Sequence, residues 1–183
     1  MLQTFETDRL ILRERTLEDM ENCVEMDRDL EVVKYIPEIV ELINGPSSNQ
    51  IKHKDFIRKR IETIYPKGLG YWTVESKDND KKFIGWILLI PIDNIGPDIE
   101  IGWRLKQKYW GKGYATEAAR VILQHALNNV ELEKIVADIH YLNQGSKKVA
   151  KKIGLKLESP KEDNTNNYLR YSIYKNQQVL SKY

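Results

Sequence analysis

Residues 109–119 read YWGKGYATEAA, two glycines one residue apart followed by small residues and the body of a helix. A turn of the type x-Gly-x-Gly entering a helix leaves several backbone N–H groups without partners and sets the positive end of the helix dipole behind them. Such a turn can hold an anion. Gly111 and Gly113 are the tight positions, where a side chain would resist the backbone angles and keep a phosphate off the main chain; Trp110 and Tyr114 are too bulky for that place. The same pair also fits a plain turn between a strand and a helix. There is no Gly-x-Gly-x-x-Gly with an acidic residue about twenty positions on, and no Gly-Lys-Ser/Thr, so neither a dinucleotide fold nor a nucleotide-hydrolysing loop is favoured.

A second candidate lies just upstream, in Ile99-Glu-Ile-Gly-Trp-Arg-Leu105. On a strand, side chains alternate, so Glu100 and Arg104 share a face with Gly102 between them, while Ile99, Ile101, Trp103 and Leu105 face the other way. Glu100 is then either a proton acceptor beside a gap or an ion-paired strand residue, with Arg104 or an equivalent as its partner. His53, His125 and His140 are scattered without metal-ligand spacing, and no metal is predicted. Lys147, Lys148, Lys151, Lys152 and Lys156 form a basic cluster that reads as a solvated helix face or as a partner for phosphates or an acidic surface.

The elements that must position these residues follow from periodicity. Arg9–Arg13 is a strand, and Thr16-Leu-Glu-Asp19 is a capping box opening a helix over 17–28. Between Pro37 and Pro66 the pattern is less regular: 44–49 is a loop by its turn residues, and 51–64 is a charged helix with Phe56, Ile57, Ile61 and Ile64 on one side. This segment could shape a substrate pocket. Strands at 71–75, 83–90 and 99–105, joined by short turns, make an antiparallel meander. Ala115, Ala118, Ala119, Ile122, Leu123, Ala126, Leu127 and Val130 form the stripe of an amphipathic helix. The glycines therefore sit between a strand and a helix. A strand at 135–139, a lysine-rich helix at 144–153 ended by Gly154, a strand start at 155–158, a polar loop at 159–167 and a last strand at 168–174 complete the chain. The order is α+β, with about seven strands forming a mixed sheet, an antiparallel meander plus a parallel pair, flanked by about four helices.

With 183 residues the chain suits a single domain spanning 1–183. Its 29 Lys+Arg against 27 Asp+Glu leave a net charge of +2, which gives no footprint for direct nucleic-acid binding. Cys23 is the single cysteine, so no intramolecular disulfide can form, a sign of a reducing, cytoplasmic setting; it reads as a small buried apolar residue of the first helix. The opening MLQTFETDRLILRER is charged from residue 6, and WILLIPI at 86–92 is too short to span a bilayer, so neither secretion nor membrane insertion is predicted.

Taken in order, Thr7-Asp-Arg-Leu-Ile-Leu-Arg13, Ile99–Leu105, Tyr109-Trp-Gly-Lys-Gly-Tyr-Ala-Thr-Glu-Ala118, Asn143-Gln-Gly-Ser146 and Lys152-Ile-Gly154 resemble the GNAT superfamily of N-acetyltransferases, specifically the branch that acetylates the N-termini of ribosomal proteins. The resemblance runs over nearly the full length and is weakest over 37–66 and 159–167. The family pattern Arg/Gln-x-x-Gly-x-Gly/Ala reads here as Lys108-Tyr-Trp-Gly111-Lys-Gly113, with lysine in first place. The resemblance implies acetyl-coenzyme A as donor, its pyrophosphate on the loop that includes Gly111, Lys112, Gly113, Tyr114, Ala115 and Thr116, and its pantetheine arm lying like an added strand against Trp103, Arg104 and Leu105. Lys108, Asn143 and Lys152 fall in the same motifs. It also implies transfer to an amine in a ternary complex, the acceptor being the N-terminal amine of a ribosomal protein or else a small amine of polyamine or aminoglycoside type. A non-catalytic acyl-coenzyme A-binding module is the rival reading, and relatives often form homodimers through their sheets.

That reaction needs a base or water path for a neutral amine, an oxyanion donor and an acid for the thiolate. Glu100 is the first candidate for base, with a backbone N–H near Trp103 as oxyanion donor; Glu162 is a second candidate. Many relatives place a tyrosine acid seven residues after the asparagine, where this chain has Ala150. In the ribosomal branch a serine takes the role, and Ser146 matches it. Asn143 and Ser146 also fit helix caps.

Overall fold

A computed structural model of the protein describes residues 1–78, 81–158 and 167–178. Among these residues eight strands form one sheet in the order β1-β2-β3-β4-β5-β6-β8-β7. They are β1 Phe5–Glu6, β2 Leu10–Glu14, β3 Gly70–Ser76, β4 Phe83–Pro91, β5 Ile99–Leu105, β6 Lys134–His140, β7 Lys156–Leu157 and β8 Tyr168–Tyr174. All neighbours are antiparallel except β5 and β6, as the strand–helix–strand order of the second half requires.

The sheet is covered on both sides, which is why β4 is almost wholly buried and reads as an unbroken apolar run. On one side lies α5, Tyr114–Asn128, whose stripe of Ala118, Ala119, Ile122, Leu123, Ala126 and Leu127 packs against Trp72, Val74, Ile87, Leu89, Ile101 and Leu105. On the other, α1 Met20–Asp27 and α4 Ser47–Glu62 pack Cys23, Val24, Met26 and Ile57 against Tyr71, Trp86 and Leu88. The meander and the amphipathic helix thus lie where periodicity puts them. At the entry to α1, the Asp19 carboxylate accepts the Thr16 N–H at 2.9 Å.

The segment 37–66 is more ordered than its sequence pattern implies. Pro37–Asn44 is a helix, α3, begun by a proline at its first turn, where the missing N–H costs nothing. Short helices also form at Leu30–Val33 (α2) and Lys175–Gln178 (α7), and Gln144–Lys152 is α6, so the described residues hold more helical segments than the four expected. Ile64 does not join the apolar side of α4: the helix ends at Glu62, Thr63 is extended, and Ile64 is 97% exposed.

One contact fixes how β5 lies on β4. The pairing of β3 with β4 shifts at Val74/Glu75, so Ile84 is an extra residue, and beyond it Gly85 lets the neighbouring backbone come close. A Cβ at Gly85 would stand 2.1 Å from the Arg104 carbonyl oxygen and 2.7 Å from Leu105 Cα. Gly85→Ala is expected to lower stability by about 3 kcal/mol, read from the urea midpoint, because backbone rather than a flexible side chain must move.

Candidate active site

The chain leaves β5, makes a short turn at Gln107–Tyr109, and reaches the glycine loop. The Trp110 indole N–H donates to the Leu105 carbonyl at 2.8 Å, tying the loop to the strand end. Gly111 and Gly113 both adopt left-handed backbone, at φ 74 and 84°, so their composition answers a conformational demand. Gly113 is also the N-cap of α5, and a glycine brings no side chain to cap the amides beyond it. The Glu117 N–H donates to the Gly113 carbonyl at 3.0 Å, which opens the helical pattern; the amides of Tyr114, Ala115 and Thr116 come before any helical acceptor. A Cβ at Gly111 would meet nothing within 4 Å, so the loop faces open space. Lys108 and Lys112 are exposed beside it, their ammonium groups 5.3 and 5.8 Å from the Tyr109 ring.

Arg9 braces this loop and was not singled out by the sequence reasoning, although it stands in the Thr7–Arg13 opening. Its Nε donates to Glu117 at 2.8 Å, its Nη1 to the Lys112 carbonyl at 3.0 Å, and its guanidinium lies 4.5 Å over the Tyr114 ring. Pairing with Arg9 neutralises Glu117, whose charge would otherwise oppose an anion at the helix start.

The parallel ladder between β5 and β6 holds for two residue pairs, Ile99 with Ile135 and Glu100 with Val136. Beyond Glu100 the strands part, and the stretch Ile101–Leu105 runs on without a ladder to β6. Glu100 sits at the fork. Burial pushes its carboxyl up, the nearby Asp138 carboxylate adds to this, and the Asp138 N–H with the more distant Arg170 and Arg60 pulls back, leaving the pKa at about 7. Asp138 is gripped by Arg170 through Nε and Nη2 at 2.8 and 2.6 Å, and Arg170 also reaches Asp98 at 2.8 Å. The carboxylate pair was not foreseen, though an acidic residue inside the apolar run 135–139 was a visible signal.

Arg104 shares the face of Glu100, as alternation requires, but its partner is another residue. It donates to Asp27 at 2.8 Å, Asp27 contacts His53 Nε2 at 3.0 Å, and all three are buried. Burial works against the Asp27 carboxylate, but the Arg104 charge and the His53 bond outweigh it and hold its pKa below the usual range. The Arg104 guanidinium is therefore committed, and only its backbone is left for a ligand on the β5 edge. Asp27 and His53 lie on two helices 26 residues apart, with no local pattern to betray the pairing.

Across the fork, the Trp103 indole N–H donates to Ser146 Oγ at 3.2 Å, and the Ser146 N–H donates to Asn143 Oδ1 at 3.0 Å. Asn143 is the N-cap of α6, so the capping alternative describes its carbonyl oxygen while its amide nitrogen stays open to other use. Ala150 is fully buried. Lys152 is exposed, and its carbonyl accepts from Arg120 at 3.1 Å; of the lysine cluster, Lys147 bonds the Tyr141 carbonyl at 2.8 Å while Lys148, Lys151 and Lys156 face solvent. Glu162 lies outside the described residues. Burial pushes the Cys23 thiol up to about 11, which suits a packing residue. His140 stacks on Tyr35 and Tyr141, with centroids 4.8 and 4.9 Å apart. No group of three or more potential metal ligands occurs among the described residues, and no described helix is long and apolar enough to cross a membrane.

A loop of free amides at a helix start, an unladdered strand edge beside it and a high-pKa carboxyl at the fork can bind a long anionic thioester and take a proton from an amine. The chain is 32% identical over 152 residues to the uncharacterized N-acetyltransferase YnaD of Bacillus subtilis, covering 83% of this chain and 82% of that one. It is 28% identical over 121 residues to the FsC-acetyl coenzyme A-N(2)-transacetylase of Aspergillus fumigatus, covering 58% and 50%. In fold it is similar to the crystal structure of a GNAT-family acetyltransferase from Bacillus anthracis, with a TM-score of 0.75, 24% identity and coverage of 95% and 99%. Residues 9–156 match the acetyltransferase (GNAT) domain, and with the YnaD likeness this places the chain in the GNAT family of acetyl-coenzyme A-dependent N-acetyltransferases.

Proposed function

We propose that the protein moves the acetyl group of acetyl-coenzyme A directly to a primary amine, with Glu100 as base, and that the amine is the N-terminus of a ribosomal protein. The observation that carries the mechanism is the position of Glu100, a carboxyl with a pKa of about 7 where β5 leaves β6. A base poised near neutral pH is ionised often enough to work and basic enough to accept an ammonium proton, directly or through water.

In this reading the amides from Gly111 to Thr116 hold the pyrophosphate, with Lys108 and Lys112 adding charge and Lys152 meeting the donor further along. The edge at Trp103, Arg104 and Leu105 pairs with the pantetheine amides through backbone alone, and the Asn143 amide nitrogen donates from the opposite side. A backbone N–H near Trp103 steadies the oxyanion as the amine attacks the thioester carbonyl. Ser146 gives its proton to the departing thiolate; its oxygen already accepts from Trp103, which makes its O–H a better donor. The ribosomal acceptor is supported by the Thr7–Arg13 opening and by serine at 146. The likeness to a coenzyme A-N(2)-transacetylase favours a small-molecule amine as second reading. Mass-spectrometric screening of ribosomal proteins and small amines against release of free thiol decides between them; if no amine in the panel brings about thiol release, only the acyl-coenzyme A-binding module is left.

Two variants probe the site itself. Glu100→Gln is expected to cut kcat/KM by roughly 10²- to 10⁴-fold and to abolish a rate limb that rises with pH through about 7, since the carboxylate is the active form. Its stability has the opposite sign. Because the folded-state pKa lies above the ordinary 4.5, Glu100 costs nothing below pH 4.5, and its cost grows until pH 7. The variant should melt higher than the parent at pH 8, by no more than about 3 kcal/mol, and match it at pH 4. Gly113→Ala must hold alanine at φ 84°, with its Cβ 3.4 Å from Arg9 Nη2. The strain of roughly 1–2 kcal/mol should weaken coenzyme A binding about tenfold by calorimetry and leave the fold intact.

A further inference from the structure

The arginines anchored on the sheet have acid partners, with one exception. Arg9 pairs with Glu117, Arg13 with Asp19 and Glu75, Arg104 with Asp27, and Arg170 with Asp98 and Asp138. Arg15 has none among the described residues. It follows β2 directly, its N–H donates to the Tyr71 carbonyl at 2.9 Å, and it is 7% exposed. Its guanidinium lies 3.7 Å over the Tyr71 ring and 5.8 Å from Trp86, and its Nε and Nη2 make no hydrogen bond. The Tyr71 hydroxyl beside it is also buried without a partner. The titratable groups that act most strongly on Arg15 are Cys23, Tyr71, Tyr65 and a second arginine, Arg60. No carboxylate is among them.

An arginine stays charged when buried, and a buried charge without a partner costs several kcal/mol. Stacking on Tyr71 returns only part of this. Nε and Nη2 form the edge of the guanidinium that grips a carboxylate with two parallel bonds. Arg170 uses that same edge on Asp138, at 2.8 and 2.6 Å. On Arg15 the edge is sheltered from solvent and unused.

The position relates this edge to the acetyl-transfer site. Tyr71 pairs with Leu88, and Leu88 with Gly102, so the three lie in one row across the sheet, and Glu100 stands two residues along β5 from Gly102. Two strand spacings across and two residues along separate Tyr71 and Glu100 by about 12 Å between Cα atoms. Arg60, half-buried on α4 with its guanidinium 4.1 Å from the Phe56 ring, has no ion pair among the described residues, and its field reaches both Arg15 and Glu100. We propose that Arg15, with Arg60 beside it, is the anion-binding corner of the acceptor site, so that the accepted amine carries a carboxylate several bonds away from its nitrogen. This rests on the acetyl-transfer reading above. The span is too long for the α-carboxylate of a free amino acid. It suits an acidic side chain near a protein N-terminus, or an extended ω-amino acid. Seating the carboxylate on a sheltered edge requires the segment that carries Arg60 and Tyr65 to yield.

The test uses acceptors in matched pairs, assayed by release of free thiol. One arm compares peptides with Glu or Gln at positions 1 to 3, a second compares ω-amino acids with their amides, and a third compares a carboxylate with a phosphate monoester on the same amine. The acid is expected to exceed its amide at least tenfold in kcat/KM, mostly through KM, and the arm with the larger ratio identifies the source. In Arg15→Gln and Arg60→Gln the ratio should fall to within about twofold of unity while a limb rising with pH persists, near 7 in Arg15→Gln and moved upward in Arg60→Gln, where the charge that lowers the Glu100 pKa is gone. Should Arg15→Gln fail to show a cooperative melt, Arg15→Lys and Arg60→Gln carry the comparison. Equal rates for acid and amide in the parent, an unchanged ratio in the variants, or preference for the phosphate would overturn the proposal. A calorimetric arm needs no turnover: the coenzyme A-loaded protein is titrated with the N-acetylated acid and its amide. Tighter binding of the acid without transfer to any amine would sink the transfer reading and leave the carboxylate site standing; equal binding would sink the site.

Discussion

The parting of β5 from β6 after two residue pairs is the constraint on which the other features depend. A parallel pair held only at its base leaves the far half of β5 with backbone groups that a ligand can use, where a full ladder would have consumed them. It also gives α5 its aim. The helix connects the two strands, so its N-terminus opens just past the end of β5, and Trp110 ties the glycine loop to that strand end through the Leu105 carbonyl. Glu100 is the last paired residue before the gap, close enough to Asp138 to share its field and buried enough for its pKa to rise. Fully paired strands would have dispersed all three.

The two faces of the sheet are built by different forces, and this divides the labour between donor and acceptor. The face under α5 is apolar, with Trp72, Ile87, Leu89, Ile101 and Ile122 fully buried, and its alanine stripe lets the helix approach closely. It sets the position of the glycine loop. The face under α1 and α4 carries buried charge: Asp27, His53 and Arg104 form one network, and Arg13 joins Asp19 and Glu75 in another. Satisfied networks of this kind fix orientation more than they add stability. They hold Trp86, Arg104 and the flanking helices in register, and they leave over buried polar groups at Arg15 and Tyr71.

What the sequence revealed follows the same division. Period-3.6 spacing from Ala115 to Leu127 located α5, with Val130 falling past its end at Asn128, and strict alternation placed Glu100 and Arg104 on one face, because both patterns are local consequences of backbone geometry. The φ demand at Gly111 and Gly113 was legible for the same reason. The helix at Pro37–Asn44 was not, since its neighbours Gly45 and Pro46 read as loop and its eight residues are too few for Ile39, Val40, Leu42 and Ile43 to establish a period. Ile64 was assigned to a helical face that ends two residues earlier. The braces Arg9–Glu117 and Arg104–Asp27 join residues 108 and 77 apart, and no spacing rule reaches across such intervals.

This explains why the donor is easier to name than the acceptor. In the proposed reading acetyl-coenzyme A meets main-chain N–H and C=O groups, whose availability depends on glycine, on helix starts and on strand edges, and these leave marks in a sequence. The acceptor proposed above would meet side chains brought together from β2, β3, β5 and α4, each ordinary in its own segment. Arg15 is the clearest case. In the sequence it is one basic residue in Arg13-Glu-Arg15, indistinguishable from the partnered Arg13 two positions before it. Only the fold shows that Arg13 spends its charge on Asp19 and Glu75 while the Nε and Nη2 of Arg15 stay unused. On that proposal, specificity for the acceptor resides in unpaired side chains rather than in motifs, and single substitutions there would change it while leaving the donor site untouched.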